Sequence, residues 1–516
     1  MDTLAQLWNR NVRYNGDRLA TVVGERRTSF KTLFDRATKL GNALSRLGLR
    51  KHDRVAMLAM NRHEWFEVYG ACHLSAFIVA TVNFRLAPPE VAYILGDCSP
   101  RVLIFEEQYA PMIEALRAEL PGIEHYVCIG AKPDWAHDYD VFLDSGASEP
   151  IAVIPRPDDY ATLIYTSGTT GRPKGVLKTQ LQNMVGYQRN VIVMAMQAHD
   201  RLLLQMPLFH VGATSLAFGA FCAGASVVLH RQFDPAQTLQ TLQDERITMG
   251  HMAPTMLQSM MDLPQIDDYE LSSLRIVNCA AAGMPVTLLR RAVKKFGRIF
   301  LNSYGATESS GSILYPHQHH LEGSEAELRR LGSVGEPFPD SELRIVDDNG
   351  KDLPAGVPGE VIMRTQGTMA GYWNNHAATL DAIRDGWYYS GDVGYFDDHG
   401  FLYLVDRKKD MIISGGENIY CREVEEALLE HGSLADVAVF GVADAHWGEA
   451  VKAVAIRKPG ASVTAEELID FCATRIARYK RPKSVDFAAE LPRLPSGKVS
   501  KVVLRNLYKA RTAAES

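Results

Sequence analysis

The sequence predicts an α/β protein: a large N-terminal domain of β-sheets covered by helices, carrying a small β-barrel-like subdomain, followed by a small mobile α+β lid domain. Three observations lead there. Helix and strand signals alternate through the first part of the chain, short alternating runs separated by turn residues replace them from Ser341 to Met363, and the polar cluster Asp406-Arg-Lys-Lys-Asp410 precedes a further set of helix and strand signals. At 516 residues the chain also exceeds what one hydrophobic core holds.

Leu33, Ala37, Leu40, Leu44 and Leu47 recur at spacings of three and four, which predicts a helix stopped by Gly48. A second helix is expected from Trp65 to Ile78, and Val102 to Phe105 follows as a strand. Arg54 to Ala59, Leu202 to Met206 and Ile276 to Cys279 have the length and apolarity of buried strands. Ser341 to Val346 and Gly359 to Met363, separated by the turn Asp347-Asp-Asn-Gly350, read as antiparallel strands. Beyond Asp410 come a helix from Cys421, strands Val437 to Phe440 and Lys452 to Ile456, and a helix opened by the capping box Thr464-Ala-Glu-Glu467. The expected boundaries are therefore 1–405, a hinge at 406–410, and 411–516.

Composition narrows the function classes. Hydrophobic residues make up 46% and charged residues 22%, the net charge is −6, and basic residues are scattered, so a nucleic-acid stripe is not expected. No transmembrane segment and no secretory signal are expected, because no run approaches the roughly 18 apolar residues that span a bilayer and the first residues lack a basic start. The seven cysteines are widely spaced and form no C-x-x-C pair, which reads as reduced core thiols and a cytoplasmic setting. A homodimer is compatible with this composition.

Tyr165-Thr-Ser-Gly-Thr-Thr-Gly-Arg-Pro-Lys-Gly175 follows the apolar run from Ala161. Its glycines let backbone N–H groups approach phosphate oxygens, Thr166, Ser167, Thr169 and Thr170 supply hydroxyl donors, and Lys174 supplies a charge. The stretch cannot be read as G-x-x-x-x-G-K-S/T in any register, which disfavours an ordinary P-loop NTPase. The alternative reading is a Gly- and Thr-rich turn from a strand into a helix.

Five further segments accompany this loop in order: Pro207-Leu-Phe-His-Val-Gly212, Tyr304-Gly-Ala-Thr-Glu308, Tyr389-Ser-Gly-Asp392, Asp406 to Gly416, and Pro492-Arg-Leu-Pro-Ser-Gly-Lys498. Each is a weak signal alone. Together they cover nearly the whole chain, which resembles the adenylate-forming, or AMP-binding, superfamily in its acyl-CoA ligase branch, near fatty-acyl-CoA and aryl-CoA ligases.

The resemblance implies a two-step reaction with ATP, Mg²⁺ and coenzyme A, in which a carboxylate attacks the α-phosphorus and a thiol then displaces AMP. It places Thr166, Ser167, Gly168, Thr169, Thr170, Gly171 and Lys174 on the outgoing phosphates, Thr307 on the α-phosphate and Glu308 on Mg²⁺. Asp392 and Arg407 would hold the ribose, and Tyr304 and Gly305, with Gly283 and Met284, the adenine. Here the chain has Ala282-Gly-Met-Pro285 where the family often has Gly-Ala-Pro or Ala-Ala-Pro. Lys498 would bridge the carboxylate and α-phosphate, and Lys409 would be the hinge. The catalytic set is thus Lys498, Lys174, Thr166, His210 and Glu308.

His210 reads either as a tunnel-mouth histidine or as a core histidine satisfied by backbone. Since this position is not acidic, an amino acid substrate is disfavoured. The acid pocket is expected from His210, Val211, Met252, Ala282, Tyr304, Gly305, Gly311 and Ser312, with small Gly311 and Ser312 leaving room for a deep alkyl channel or a flat ring. For CoA the resemblance implies Ser414, Gly415, Gly416, Trp447, Tyr479, Arg481 and Lys483. The leading expectation is a ligase for a hydrophobic, preferably fatty, acid; the alternatives are a benzoate- or cinnamate-type acid, or loading of a separate carrier protein. A non-enzymatic nucleotide binder is disfavoured because none of the charged roles is vacant.

Overall fold

The computed structural model describes residues 1–166, 173–280, 282–414, 417–444, 447–493 and 499–515, the side chains of 417–418 and 510–515 excepted. Two compact units emerge, one from Met1–Leu343 with Met363–Tyr389 and one from Arg344–Ile362 with Ser390–Ser516. The antiparallel strands expected after Ser341 thus group mainly with the C-terminal residues rather than with the large sheets.

The first unit is built on two sheets. In one, Ile78–Val82, Arg54–Leu58, Val102–Glu106 and His125–Ile129 run parallel, and Tyr160–Thr166, parallel to Ile78–Val82, pairs antiparallel with Lys174–Thr179. In the other, Phe300–Gly305, Ile276–Cys279, Met249–Met252, Arg201–Leu204 and Ser226–Leu229 are parallel neighbours in that order, and Ser310–Leu314 adds antiparallel to Phe300–Gly305. The central strands are buried throughout apart from Arg54, as near-continuous apolar runs require. The expected buried strands lie where the sequence put them, with Arg201–Leu204 ending two residues early.

The first periodic helix spans Phe30–Arg46 and buries Leu33, Ala37, Leu40 and Leu44. Ser29 caps it by accepting from the Thr32 N–H at 3.1 Å, and Gly48 follows at φ +83°. The helix expected from Trp65 to Ile78 is in fact two elements. It runs Glu64–Ser75, Ala76 turns left-handed at φ +54°, the Phe77 N–H closes back on Cys72 O at 3.0 Å, and a strand starts at Ile78. Every residue of that helix is buried, so no polar face marks its end in the sequence.

In the second unit the turn after Val346 forms as expected: Asp347 Oδ1 accepts from the Asn349 and Lys351 N–H groups, each at 2.9 Å. Strands Gly359–Arg364, Trp387–Phe396 and Leu402–Arg407 contribute to its antiparallel sheet. The C-terminal part pairs Leu434–Asp444 antiparallel with Gly448–Arg457, to which Ser484–Phe487 adds parallel. Thr464 and Glu467 complete the capping box of Ala465–Ala473. The expected α/β architecture of a large N-terminal and a small C-terminal part is borne out. All seven cysteines are free, and no helix of the described residues is long and apolar enough to cross a membrane.

Candidate active site

The phosphate-loop candidate is flanked by two strands. Thr166 sits opposite Lys174 and Tyr165 opposite Gly175, so the loop connects antiparallel strands and does not lead into a helix. Ser167, Gly168, Thr169, Thr170 and Gly171 lie outside the described residues. Gly175 is demanded by packing, since a Cβ there would meet Leu163 Cδ1 at 2.8 Å and the Tyr165 ring at 3.0 Å.

Lys174 Nζ lies 4.9 Å over the Tyr372 ring, and the Tyr372 hydroxyl donates to Glu308 Oε1 at 2.9 Å. One tyrosine therefore joins the loop lysine by its π-face to the acidic residue by its hydroxyl. Burial, with Glu308 nearby, pushes the Tyr372 phenol well above its ordinary value, so it stays a donor. Glu308 is only 8% exposed, and its carbonyl accepts from the Met369 N–H at 2.7 Å. The same 365–369 segment is anchored by Lys178, whose buried Nζ donates to Gly367 O at 2.8 Å. Burial pushes the Lys178 ammonium down to about 8.

The expected adenine and acid residues divide. Tyr304 stands opposite Ser312 in the antiparallel pair, and a Cβ at Gly311 would meet Tyr304 Cδ1 at 2.7 Å. Tyr304 thus fills the space beside Gly311, where the sequence suggested a deep channel. Ser312 is fully buried and donates to Val334 O at 2.7 Å, so it offers no accessible surface. Gly305 pairs with Ser310, and Thr307 lies buried in the turn closed by the Ala306 N–H on Ser309 O at 2.9 Å. The side chains of Met284 and Met252 are buried in one hydrophobic cluster with Leu288, Leu289 and Val277, which removes the Met284 side chain from an adenine edge; Ala282 and Gly283 are exposed.

His210 is the N-cap of the helix Val211–Ala223, its Nδ1 accepting from the Gly212 N–H at 3.2 Å. That bond assigns the proton of neutral His210 to Nε2. Val211 is half-buried.

In the second unit Asp392 and Arg407 are direct cross-strand partners, with Arg407 Nε 3.2 Å from Asp392 Oδ1. The Asp392 N–H donates to Ser390 Oγ at 3.0 Å, and Gly391 at φ +71° supplies the bend between them. The hinge candidate Lys409 lies in a turn whose flanks are fastened: the Asp406 carboxylate accepts from the Cys421 N–H, and Arg505 pairs with Asp410 at 3.0 Å. The CoA candidates Trp447 and Tyr479 are 44% and 46% exposed, unusual for such rings, and Lys483 Nζ lies 5.6 Å over the Trp447 ring. Arg481 and Ser414 are half-buried; Gly415, Gly416 and Lys498 lie outside the described residues.

The family model of AMP-binding enzymes matches residues 8–373, and the model of their C-terminal domain matches residues 423–498. The chain belongs to the AMP-binding enzyme family. This AMP-binding enzyme is 37% identical over 493 residues to the indoleacetate–CoA ligase of Aromatoleum aromaticum, covering 95% of each chain. It is 35% identical to the long-chain-fatty-acid–CoA ligase of Mycobacterium tuberculosis, covering 92% of each. Among solved structures, an anthranilate CoA ligase in complex with anthranoyl-AMP matches with a TM-score of 0.90 and 29% identity, over 99% of this chain and 98% of that one.

As an AMP-binding CoA ligase the enzyme uses ATP, Mg²⁺ and CoA. Glu308 fits the metal: Tyr372 takes one carboxylate oxygen and leaves Oε2 without a hydrogen-bond partner among the described residues. No group of three or more His, Cys, Asp or Glu among the described residues could hold a metal, whereas Mg²⁺ can be bound through one or two carboxylates plus substrate phosphates. Bound there, Mg²⁺ would offset phosphate charge. Tyr372 and Lys178 escaped the sequence reading. Neither sits in a recognisable motif, though Gly371-Tyr-Trp373 after a polar segment was the available signal.

Proposed function

We propose that the enzyme adenylates an aryl carboxylic acid and transfers the acyl group to free CoA, with Lys498 as the adenylation lysine and Lys409 as the hinge of a lid. The observation that carries the aryl reading is the Tyr304 ring lying across Gly311, which takes the space a long alkyl tail would use and offers a flat face to a ring. Relatives named for indoleacetate, ferulate and 2-succinylbenzoate support it. The fatty acid favoured by the sequence is the second reading, supported by the long-chain-fatty-acid–CoA ligase of Mycobacterium tuberculosis. Exposed Trp447 beside Lys483 supports free CoA over a carrier protein, although one relative is named as a fatty acid–acyl-carrier-protein ligase. The free thiols support a reducing, cytoplasmic setting.

In this reading the Asp392–Arg407 pair orients the ribose, Lys174 meets the departing pyrophosphate, and Tyr372 keeps Glu308 aimed. Pyrophosphate release across fatty, benzoic, cinnamic and arylacetic acids tests it, with CoA or a phosphopantetheinylated carrier as acceptor. Highest kcat/KM for an aryl acid with CoA is expected. A fatty acid at the head of the ranking would overturn the aryl assignment.

A further inference from the structure

His251 belongs to none of the motifs, yet its ring lies close to that of His210 beside Gly212. It sits on the strand Met249–Met252 inside the larger parallel sheet and is 2% exposed. Its strand partner is Asn278, whose main-chain oxygen lies 3.1 Å from His251 Nδ1. A carbonyl only accepts, so Nδ1 carries the hydrogen and Nε2 presents a bare lone pair. Burial pushes the imidazolium down to about 4, which keeps the ring neutral at physiological pH. The Asn278 side chain is engaged elsewhere, its Oδ1 accepting from Ser303 Oγ at 2.6 Å, so the bond to His251 is made by the main chain alone.

Nε2 has no hydrogen-bond partner among the described residues. It faces Gly212: a Cβ there would lie 3.4 Å from His251 Nε2 and 3.5 Å from His210 Nδ1. The missing side chain therefore leaves two imidazole edges around one small opening at the start of the helix Val211–Ala223. An alkyl tail lodged against Nε2 would leave a buried acceptor unpaired, a costly arrangement. A carboxylate would meet the lone pair with another. What completes the site is a donor.

We propose that His251 Nε2 is a specificity-determining acceptor, and that the acid carries an O–H or N–H donor on its ring, as a phenol or an indole does. The inference rests on the aryl reading above and names the substrate class within it. The donor meets Nε2 across Gly212 while the carboxylate points to the adenylation centre. No proton is transferred; the bond selects and orients.

The test compares 4-hydroxycinnamate with 4-methylcinnamate, matched in shape but not in donor, by kcat/KM for pyrophosphate release. The wild-type enzyme should prefer the hydroxyl acid by about 10- to 100-fold. His251→Leu should bring the ratio to about one or invert it, and His251→Gln, which keeps an acceptor, should restore part of the preference. Urea unfolding midpoints of both variants identify a folding defect, and the wild-type ratio stands as evidence even if both are unstable. If aryl acids are activated with equal kcat/KM for the two cinnamates, this inference falls and the aryl reading survives. If only fatty acids are activated, both fall.

Discussion

Tyr372→Phe removes one oxygen and nothing else. The ring stays beneath Lys174 at 4.9 Å, while Glu308 loses the hydrogen bond that fixes its Oε1 at 2.9 Å. A hydrogen bond to a charged group contributes about 1.5–3 kcal/mol, and the 8% exposure of Glu308 means water replaces it poorly. Partners of a metal-binding side chain typically set metal affinity by 10- to 100-fold, so the Mg²⁺ concentration for half-maximal pyrophosphate release should rise by about that factor. Tyr372→Leu should do the same and also weaken ATP binding, because it removes the aromatic face under Lys174, a contact of about 0.5–2 kcal/mol. The assay is a Mg²⁺ titration of pyrophosphate release at saturating acid. An unchanged titration for Tyr372→Phe would refute the view that this hydroxyl orients Glu308, and identical ATP dependence in the two variants would refute the role of the ring.

Three further outcomes are expected. Lys498→Ala should slow adenylate formation by about 100- to 1000-fold yet spare CoA transfer from a supplied acyl-adenylate; equal loss in both half-reactions would contradict its role. Lys409→Pro should impair thioester formation more than adenylation, since proline fixes φ at the hinge and restricts Lys408, and rapid-quench separation of the two steps reads this directly. For Lys178 the folded value of about 8 lies below the ordinary 10.5, so between those values the unfolded chain holds a proton the folded one has released, and stability rises with pH. The penalty on the charged form is present below pH 8 and amounts to about 3 kcal/mol. Against Lys178→Met, wild type should therefore gain stability from pH 8 to 10; parallel urea-denaturation curves would dismiss the buried ammonium.

The sequence carried the layout wherever residues act in order along the chain. Ile276 to Cys279 was legible because a short apolar run bounded by polar residues has one comfortable solution. The Trp65 helix was overrun because the apolar stretch continues without a break into the strand at Ile78, and the break is a backbone torsion at Ala76 rather than a change in polarity. Glu308, Asp392 and Arg407 could be named as candidates from the sequence because the motifs containing them are local. Tyr372 reaches Glu308 across 64 positions, and His251 gains its meaning from a carbonyl on the next strand and a missing side chain at Gly212. Such relations exist only after folding. The surroundings of Gly311 are of the same kind: the sequence shows a small residue, and only the fold shows Tyr304 against it.

The strands on both sides of the Tyr165 to Gly175 loop bear on turnover. Where a phosphate loop opens a helix, the helix dipole adds a standing half-charge that holds the leaving anion as firmly as the arriving one. Here Tyr160–Thr166 and Lys174–Thr179 are antiparallel strands, whose dipoles largely cancel. At the loop end of the Lys174–Thr179 flank the cation is Lys174, and its charge is shared with the face of Tyr372. In the proposed reading pyrophosphate would therefore leave without a helix dipole from these two strands to hold it back.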